Sequence, residues 1–432
     1  MTIILLIAFL GLLLWLISRV KLFSFHTLPL SYSIVFFVVK CGFAIALWAV
    51  YTFYYTERTN SDIYKFFDDG EKLQQLFSVD KKEFAAVFFF NKNEISDSTL
   101  QMKNWERNYN EILPFNENRL MIRVHTVLHF FSAHQILFHQ FFFAFLSYLG
   151  CVFLFNFSLL ALPAISAKLR LLAFAFPSFL FWTSGGLKES LVLFFIGGLL
   201  FYFYQLTENF NWRTFFIAAL FLWLLLIIKT LVGLLLFFAC LIFVVFRNNS
   251  IKKTIAKYAI ANFLVVGIIW AFSLIGVKQN VARLLYYKQF NAINEAHYLK
   301  ANSISSVPII TKNIFSVVAK FPIGIMYGLF KPFPSMTKNP MMLLSMLENL
   351  ILIGLLLALL YFILTKKTKI VINEWFVFLL YIALVHLGIV GLLTPVVGNL
   401  VRYKVIVMPL LLLCIFTLLF QLKKENNNED IH

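Results

Sequence analysis

Eleven almost uninterrupted apolar stretches divide this chain of 432 residues, at about 2–18, 31–55, 136–156, 169–183, 189–205, 214–228, 230–246, 256–277, 341–364, 374–393 and 404–421. A bilayer core takes roughly 20 apolar residues per helix. A backbone surrounded by lipid must satisfy its own N–H and C=O groups, which leaves helices or closed barrels. The expected fold is therefore an all-α polytopic membrane protein of about eleven transmembrane helices, 1–432 forming a single integral membrane domain. Composition agrees: 61% of residues are hydrophobic and 13% charged, against about 25% charged in soluble domains. A water-soluble enzyme, a disordered chain and a disulfide-stapled secreted domain are excluded. Cys41, Cys151, Cys240 and Cys414 all fall inside apolar stretches and read as small hydrophobes.

The first stretch has no basic residue before it and is followed by Arg19 and Lys21, which favours an uncleaved span with its N-terminus outside. Each short inner connection then carries Lys or Arg: Lys168 and Arg170, Arg213, Arg247 with Lys252, Lys253 and Lys257, and Lys366, Lys367 and Lys369. That is the positive-inside pattern. It orients the chain with the tail 422–432, including Lys423 and Lys424, on the cytoplasmic side, and the membrane expected is a cytoplasmic (inner) one.

Two large segments then face outward and are expected to carry interfacial helices. The first, 56–135, is acidic: residues 56–118 hold twelve acids and eight Lys and Arg. The second, 278–340, is basic, with eight Lys and Arg and the single acid Glu295 over 278–338. Long loops escape the positive-inside rule, so their charge is free to serve function. The whole-chain charge of +17 is assigned to phosphate-bearing lipids; no soluble basic domain exists to hold nucleic acid. Residues 112–132, with Arg119, Arg123, His125 and His129 among apolar residues at helical spacing, suggest an amphipathic helix at the outer interface. Residues 314–333 suggest a short interfacial or re-entrant element.

Ionisable groups at membrane depth are expensive and usually face a cavity or partner. SDIYKFFDDGEK (61–72) places Asp62 near the membrane plane, followed by Tyr64, Asp68 and Asp69. A carboxylate beside lipid has its pKa raised towards working pH and suits a general base on a hydroxyl; Tyr64, Asp68 and Asp69 are candidate sugar or acceptor contacts. In FWTSGGLKES (181–190), the Gly pair permits a tight turn or close approach to a ligand. Trp182, Lys188 and Glu189 flank it. Glu189 is either a second functional carboxylate or a helix-start acid favoured by the dipole.

TPVVGNLVRYK (394–404) reads as the last outer loop, with Asn399, Arg402, Tyr403 and Lys404. Arg402 can grip a phosphate bidentately. Lys404, Lys331, Lys229, Lys188 and Arg283 are further phosphate-binding candidates, with snorkelling to headgroups the plainer account of each lysine. His125 and His129 share a helical face, with His134 and His139 close behind. Lacking HExxH and a nearby acid, they read as interfacial aromatics. No Walker loop, GxSxG elbow or Rossmann GxGxxG occurs.

The layout over about 50–415 resembles the GT-C superfamily of glycosyltransferases that use polyprenyl-phosphate-linked sugars. Asp62 in SDIYKFF looks like the acid opening the first large outer loop, and Glu189 in GGLKESLVLFF like the acid beginning a later span. RYKVIVMPLLLL (402–413) looks like the arginine-then-proline span near the end. PSFLFWTSGGLKES, FPIGIMYGLFKPFP and LENLILI are similar to a group of bacterial envelope proteins with surface-polysaccharide functions. The resemblance implies sugar transfer from a polyprenyl-phosphate donor to a glycan or lipid acceptor on the outer face, with membrane lipids as further partners. Asp62 would deprotonate the acceptor and Arg402 would stabilise the departing phosphate. Glu189 would orient the acceptor or hold a divalent cation, the one cofactor left open. Two other readings stand beside this one: a repeat-unit polymerase or ligase leaning on arginines, and a transporter or flippase for lipid-linked sugars.

Overall fold

A computed structural model describes residues 2–55, 58, 61–90, 101–105, 116–245, 247, 251–274, 281–333, 336, 340–365 and 370–424. Glu57, Glu94, Asp97, Glu106 and Glu111 of the acidic loop, the inner Lys366, Lys367 and Lys369, and the tail beyond Lys424 lie outside the described residues.

The described residues form helices and no strand. In chain order the first are α1 (Thr2–Arg19), α2 (Leu30–Ala49, continued by a wider turn over Val50–Tyr54), α3 (Asp62–Val79), α4 (Lys81–Phe90), α5 (Glu117–His129) and α6 (Ile136–Ala161). Next come α7 (Ala167–Leu172), α8 (Pro177–Trp182), α9 (Lys188–Glu208), α10 (Trp212–Ile228), α11 (Thr230–Val245) and α12 (Ile251–Leu274). The last are α13 (Val281–Tyr298), α14 (Ile314–Phe330), α15 (Pro340–Thr365), α16 (Glu374–Leu393), α17 (Val397–Lys404) and α18 (Met408–Lys424). Asparagines start several of them: Asn116, Asn211, Asn313 and Asn373 each accept a first-turn N–H, satisfying a donor the helix leaves orphaned.

Five of these segments are long and apolar enough to cross a bilayer: Leu30–Tyr54, Ile136–Ala161, Lys188–Glu208, Met342–Thr365 and Glu374–Leu393. A sixth arises if Val397–Lys404 and Met408–Leu422, bent by 60°, form one broken span. Hydropathy alone suggested about eleven. Four of the other stretches are shorter apolar helices, around α1, α10, α11 and α12. The stretch 169–183 is not one helix. It breaks into α7 and α8 before Pro177, which lacks an N–H and biases Phe176 away from the helical region. The expected last outer loop is also mostly helix: from Val397 onward it is α17. The element expected over 314–333 is a helix of 17 residues packed along α16.

The chain divides into two compact units, each described by itself: residues 1–157 with 180–233, and residues 158–179 with 234–432. No linker in the sequence marks this division.

In the first unit, α3 packs on α5, and α9 on α10. α6 and α9 meet at Gly150 and Gly197, where an added Cβ on either glycine would strike the other helix's backbone. The turn between α1 and α2 is tied to α6. Tyr148 Oη donates to Phe23 O (2.7 Å), and Asn156 Oδ1 accepts from the His26 N–H (2.9 Å).

In the second unit, α14 and α16 are the most closely packed pair, meeting through Gly324, Gly328, Gly388 and Gly391. Small residues allow this backbone approach between apolar helices. α18 packs on α16 and α15. Residues 303–305 pair with 395–397: Ser305 N donates to Pro395 O (2.8 Å) and Val397 N to Ser303 O (3.0 Å). Arg170 is buried, and its guanidinium donates to the carbonyls of Ser158, Leu162 (2.6 Å) and Ile165 (2.8 Å). This positive-inside candidate is thus also a clamp on helix-end carbonyls.

Candidate functional site

In the first unit the site begins where α3 starts. Ser61 precedes the helix and Asp62 occupies its first turn, where the dipole favours an acid. One turn on, Lys65 Nζ lies 3.1 Å from Asp62 Oδ1, and the Asp62 side chain keeps one third of its surface exposed. Tyr64 Oη shares a hydrogen bond of 2.8 Å with Thr52 Oγ1. Its ring carries the Arg58 guanidinium at 4.1 Å, and that guanidinium grips Asp68 through two bonds of 2.6 and 3.0 Å. Asp69 is buried and accepts from Asn104 N (2.8 Å) and Nδ2 (3.0 Å). Burial nevertheless pushes its pKa up. Asp68 and Asp69 are therefore committed to contacts within the protein, Asp69 pinning Asn104 of the acidic loop.

The Gly185–Gly186 turn joins this region. Leu187 packs in one hydrophobic cluster with Leu47, Ile63 and Tyr64, against Trp48 and Trp182. Gly186 N donates to Gln140 Oε1 (2.7 Å), Ser190 Oγ to Thr183 O (2.9 Å), and Lys40 Nζ to Thr183 Oγ1 (3.1 Å). Lys188 Nζ donates to Asn118 Oδ1 (2.9 Å) and pairs with Glu117 (3.3 Å). Glu189, 1% exposed, pairs with Lys229 at 3.2 Å. The structure thus gathers Tyr64, Trp182 and the helix starts bearing Asp62, Lys188 and Glu189 around one cluster.

Three of the four histidines lie inside the protein, and His134 is exposed. His125, His129 and His139 are buried, because Ala133 (φ 46°) and His134 (φ 59°) turn the chain sharply in the left-handed region and fold α5 back onto α6. His125 Nδ1 and His139 Nδ1 are 2.8 Å apart, His139 Nε2 and Ser132 Oγ 2.9 Å, and His129 Nε2 donates to Phe67 O at 3.0 Å. Burial holds the imidazole of His125 well below its ordinary range and that of His129 down to about 4. Between pH about 6.5 and 4, the unfolded chain then binds protons that the folded chain refuses, so stability falls as pH falls. Asp69 works in the opposite sense, nearer the carboxylate range. Thermal unfolding in detergent between pH 7.5 and 4.5 is expected to show a falling Tm, with a shallower slope in His129→Phe. Equal slopes would remove His129 as the cause.

In the second unit Lys331, Lys404 and Arg402 are all buried, at 1, 3 and 8% exposure. Lys404 Nζ donates to Asn349 Oδ1 (2.7 Å) and Lys331 O (2.8 Å); Asn349 Nδ2 in turn donates to Phe330 O (3.0 Å). Lys331 Nζ donates to Ser306 O (2.7 Å) and Ser305 Oγ (3.1 Å) and lies 3.7 Å from the centre of the Tyr327 ring. Burial lowers its pKa to about 8. Neither lysine snorkels; both are inside. His386 Nε2 donates to Tyr403 O (3.1 Å). Asn399 is exposed, and Arg283 is half-buried on α13.

Glu348 is the carboxylate the sequence reading missed. It accepts from Ser178 N at 2.6 Å and faces Lys404 across a cavity of about 10 Å³, also lined by Phe176, Asn349 and Met408. That is room for about one water. Asn349 and Tyr327 also line an apolar groove of about 420 Å³ with Met326, Phe330, Met346 and Ile353. The available signal was a lone acid within the apolar run of α15. A lone Lys40 in α2 carried the same signal.

Among the described residues no three His, Cys, Asp or Glu side chains are placed to hold a metal ion. Glu189 faces an ammonium, so the donor set does not fit a divalent cation there. No protein-family model, curated protein or solved structure matches the chain.

Proposed function

We propose that this chain is a membrane glycosyltransferase that moves a sugar from a polyprenyl-phosphate donor to a hydroxyl of a glycan or lipid at the outer face of the cytoplasmic membrane. The carrying observation is the apolar groove of the second unit, with buried Lys331 and Lys404 contacting its Tyr327 and Asn349 and with Arg402 two residues from Lys404. Buried charge is costly unless it is paired. Lys404 is bonded to Asn349 and Lys331 stacks on Tyr327, both in the groove wall, so an anionic headgroup whose tail lay in the groove would meet positive charge at its edge.

In the proposed reaction the acceptor oxygen attacks the anomeric carbon and the bond from that carbon to the phosphate oxygen breaks. The acceptor proton passes to a general base, and the phosphate leaves on its lipid with its charge met by Arg402 and Lys331 of the second unit. Asp62 is the base proposed, from its place in the sequence at the opening of the acidic loop. Lys188 and Lys229 set the positions of α5 and Glu189, and Trp182 and Tyr64 supply ring faces for sugars. No step passes through a metal.

Arg402→Ala should weaken binding of polyprenyl phosphate in vesicles, and raise the donor KM, by about 10–100-fold, the size of one charge-assisted hydrogen bond of about 1.5–3 kcal/mol. Acceptor KM should move little. Donor binding unchanged from wild type would end the assignment of this groove.

A further inference from the structure

The turn Gly185–Gly186 lies over two fully buried polar groups. Gln140 spends its Oε1 on the Gly186 N–H (2.7 Å), while its Nε2 has no partner among the described residues. His125 spends Nδ1 on His139 (2.8 Å), and its Nε2 likewise has none. Both side chains are 0% exposed. They border one small space. A Cβ placed on Gly186 would sit 3.0 Å from Gln140 Nε2 and 3.6 Å from His125 Cε1. Leaving buried donors unsatisfied costs about 1–3 kcal/mol each, so a folded protein keeps such a pair only with a partner for them.

We propose that Gln140 and His125 form a binding site for a single hydroxyl group, that of one water molecule, beneath Gly186. Gln140 Nε2 only donates, so the ligand atom must accept. A ligand that only accepted would leave its own O–H groups buried without an acceptor, so one O–H is directed to His125 Nε2. This fixes the whole chain of protons. His125 is then protonated at Nδ1 and donates to His139 Nδ1; His139 is protonated at Nε2 and donates to Ser132 Oγ, 2.9 Å away. The water thereby orders both imidazoles and couples the turn that carries Lys188 and Glu189 to the α5–α6 reversal. A glycine at 186 is needed because a methyl group would occupy the water's place. This assignment does not depend on the transferase reading.

The full chain in nanodiscs supplies the test. A density map that resolves ordered water should show a peak about 2.7–3.2 Å from both Gln140 Nε2 and His125 Nε2. Nitrogen NMR of histidine-labelled protein in bilayers should show His125 protonated at Nδ1. Its Nε2 resonance should carry a hydrogen-bond shift that is lost in Gly186→Ala. An empty map at that point, or His125 protonated at Nε2 in the wild type, would overturn the proposal without any variant. So would an unshifted His125 spectrum in folded Gly186→Ala.

Discussion

Gly391→Leu should leave the second unit unable to hold its native packing. A side chain at 391 enters the backbone of α14 at Gly324 O and comes within 2.8 Å of Gly328 N. Backbone cannot swing aside as a flexible side chain does, so the two helices must separate. Overpacking of a tight core costs about 1–3 kcal/mol and sometimes more, and this site belongs at the upper end. The control is Gly354→Leu on α15, where nothing lies within 4 Å of an added Cβ. It should stay within about 0.5 kcal/mol of wild type, as surface substitutions do. Titration with a denaturing detergent, followed by tryptophan fluorescence, measures both. Equal midpoints for the two variants would show that the α14–α16 approach is not what holds this unit.

Asp62→Asn should lower sugar transfer by about 10²–10⁴-fold, the usual contribution of a positioned general base, with little change in unfolding midpoint. The separation is expected because Asp62 is one-third exposed and its ion pair with Lys65 spans a single helical turn; exposed pairs of this kind are worth about 0–1 kcal/mol. The assay is transfer from a polyprenyl-phosphate sugar by the purified chain in liposomes. Full activity in Asp62→Asn, with loss in Arg402 and Arg283 variants, would favour the repeat-unit polymerase or ligase reading. Movement of labelled lipid without a new glycosidic bond would favour the transporter.

Much of the site chemistry was visible as isolated polar residues in apolar surroundings. Asp62, Glu189 and Arg402 stood out because charge near lipid is costly, and Asp62 and Glu189 do begin helices. What hydropathy misread was continuity. The stretch 169–183 is apolar enough to span, yet Pro177 divides it; the run ending in RYK was read as loop, yet α17 starts at Val397. Polarity at 394–404 resembles a loop's because Arg402 and Lys404 are charged. Both are helical and buried, and Lys404 is received by Lys331 O and Asn349 on neighbouring elements.

Partner choice was beyond reach of the linear order. Glu348 joins Ser178 across 170 positions and Lys404 joins Asn349 across 55. His125 meets His139 only because of two left-handed residues between them. Composition and the spacing of apolar residues determined, by themselves, that this chain is helical and made for a bilayer, since water would not tolerate its surface and lipid would not tolerate an unpaired backbone. Which charges are pairs, clamps or lining of a cavity was decided by tertiary packing alone. A hydrogen bond reaches about 3 Å, and nothing in the order of residues states which of them come that close.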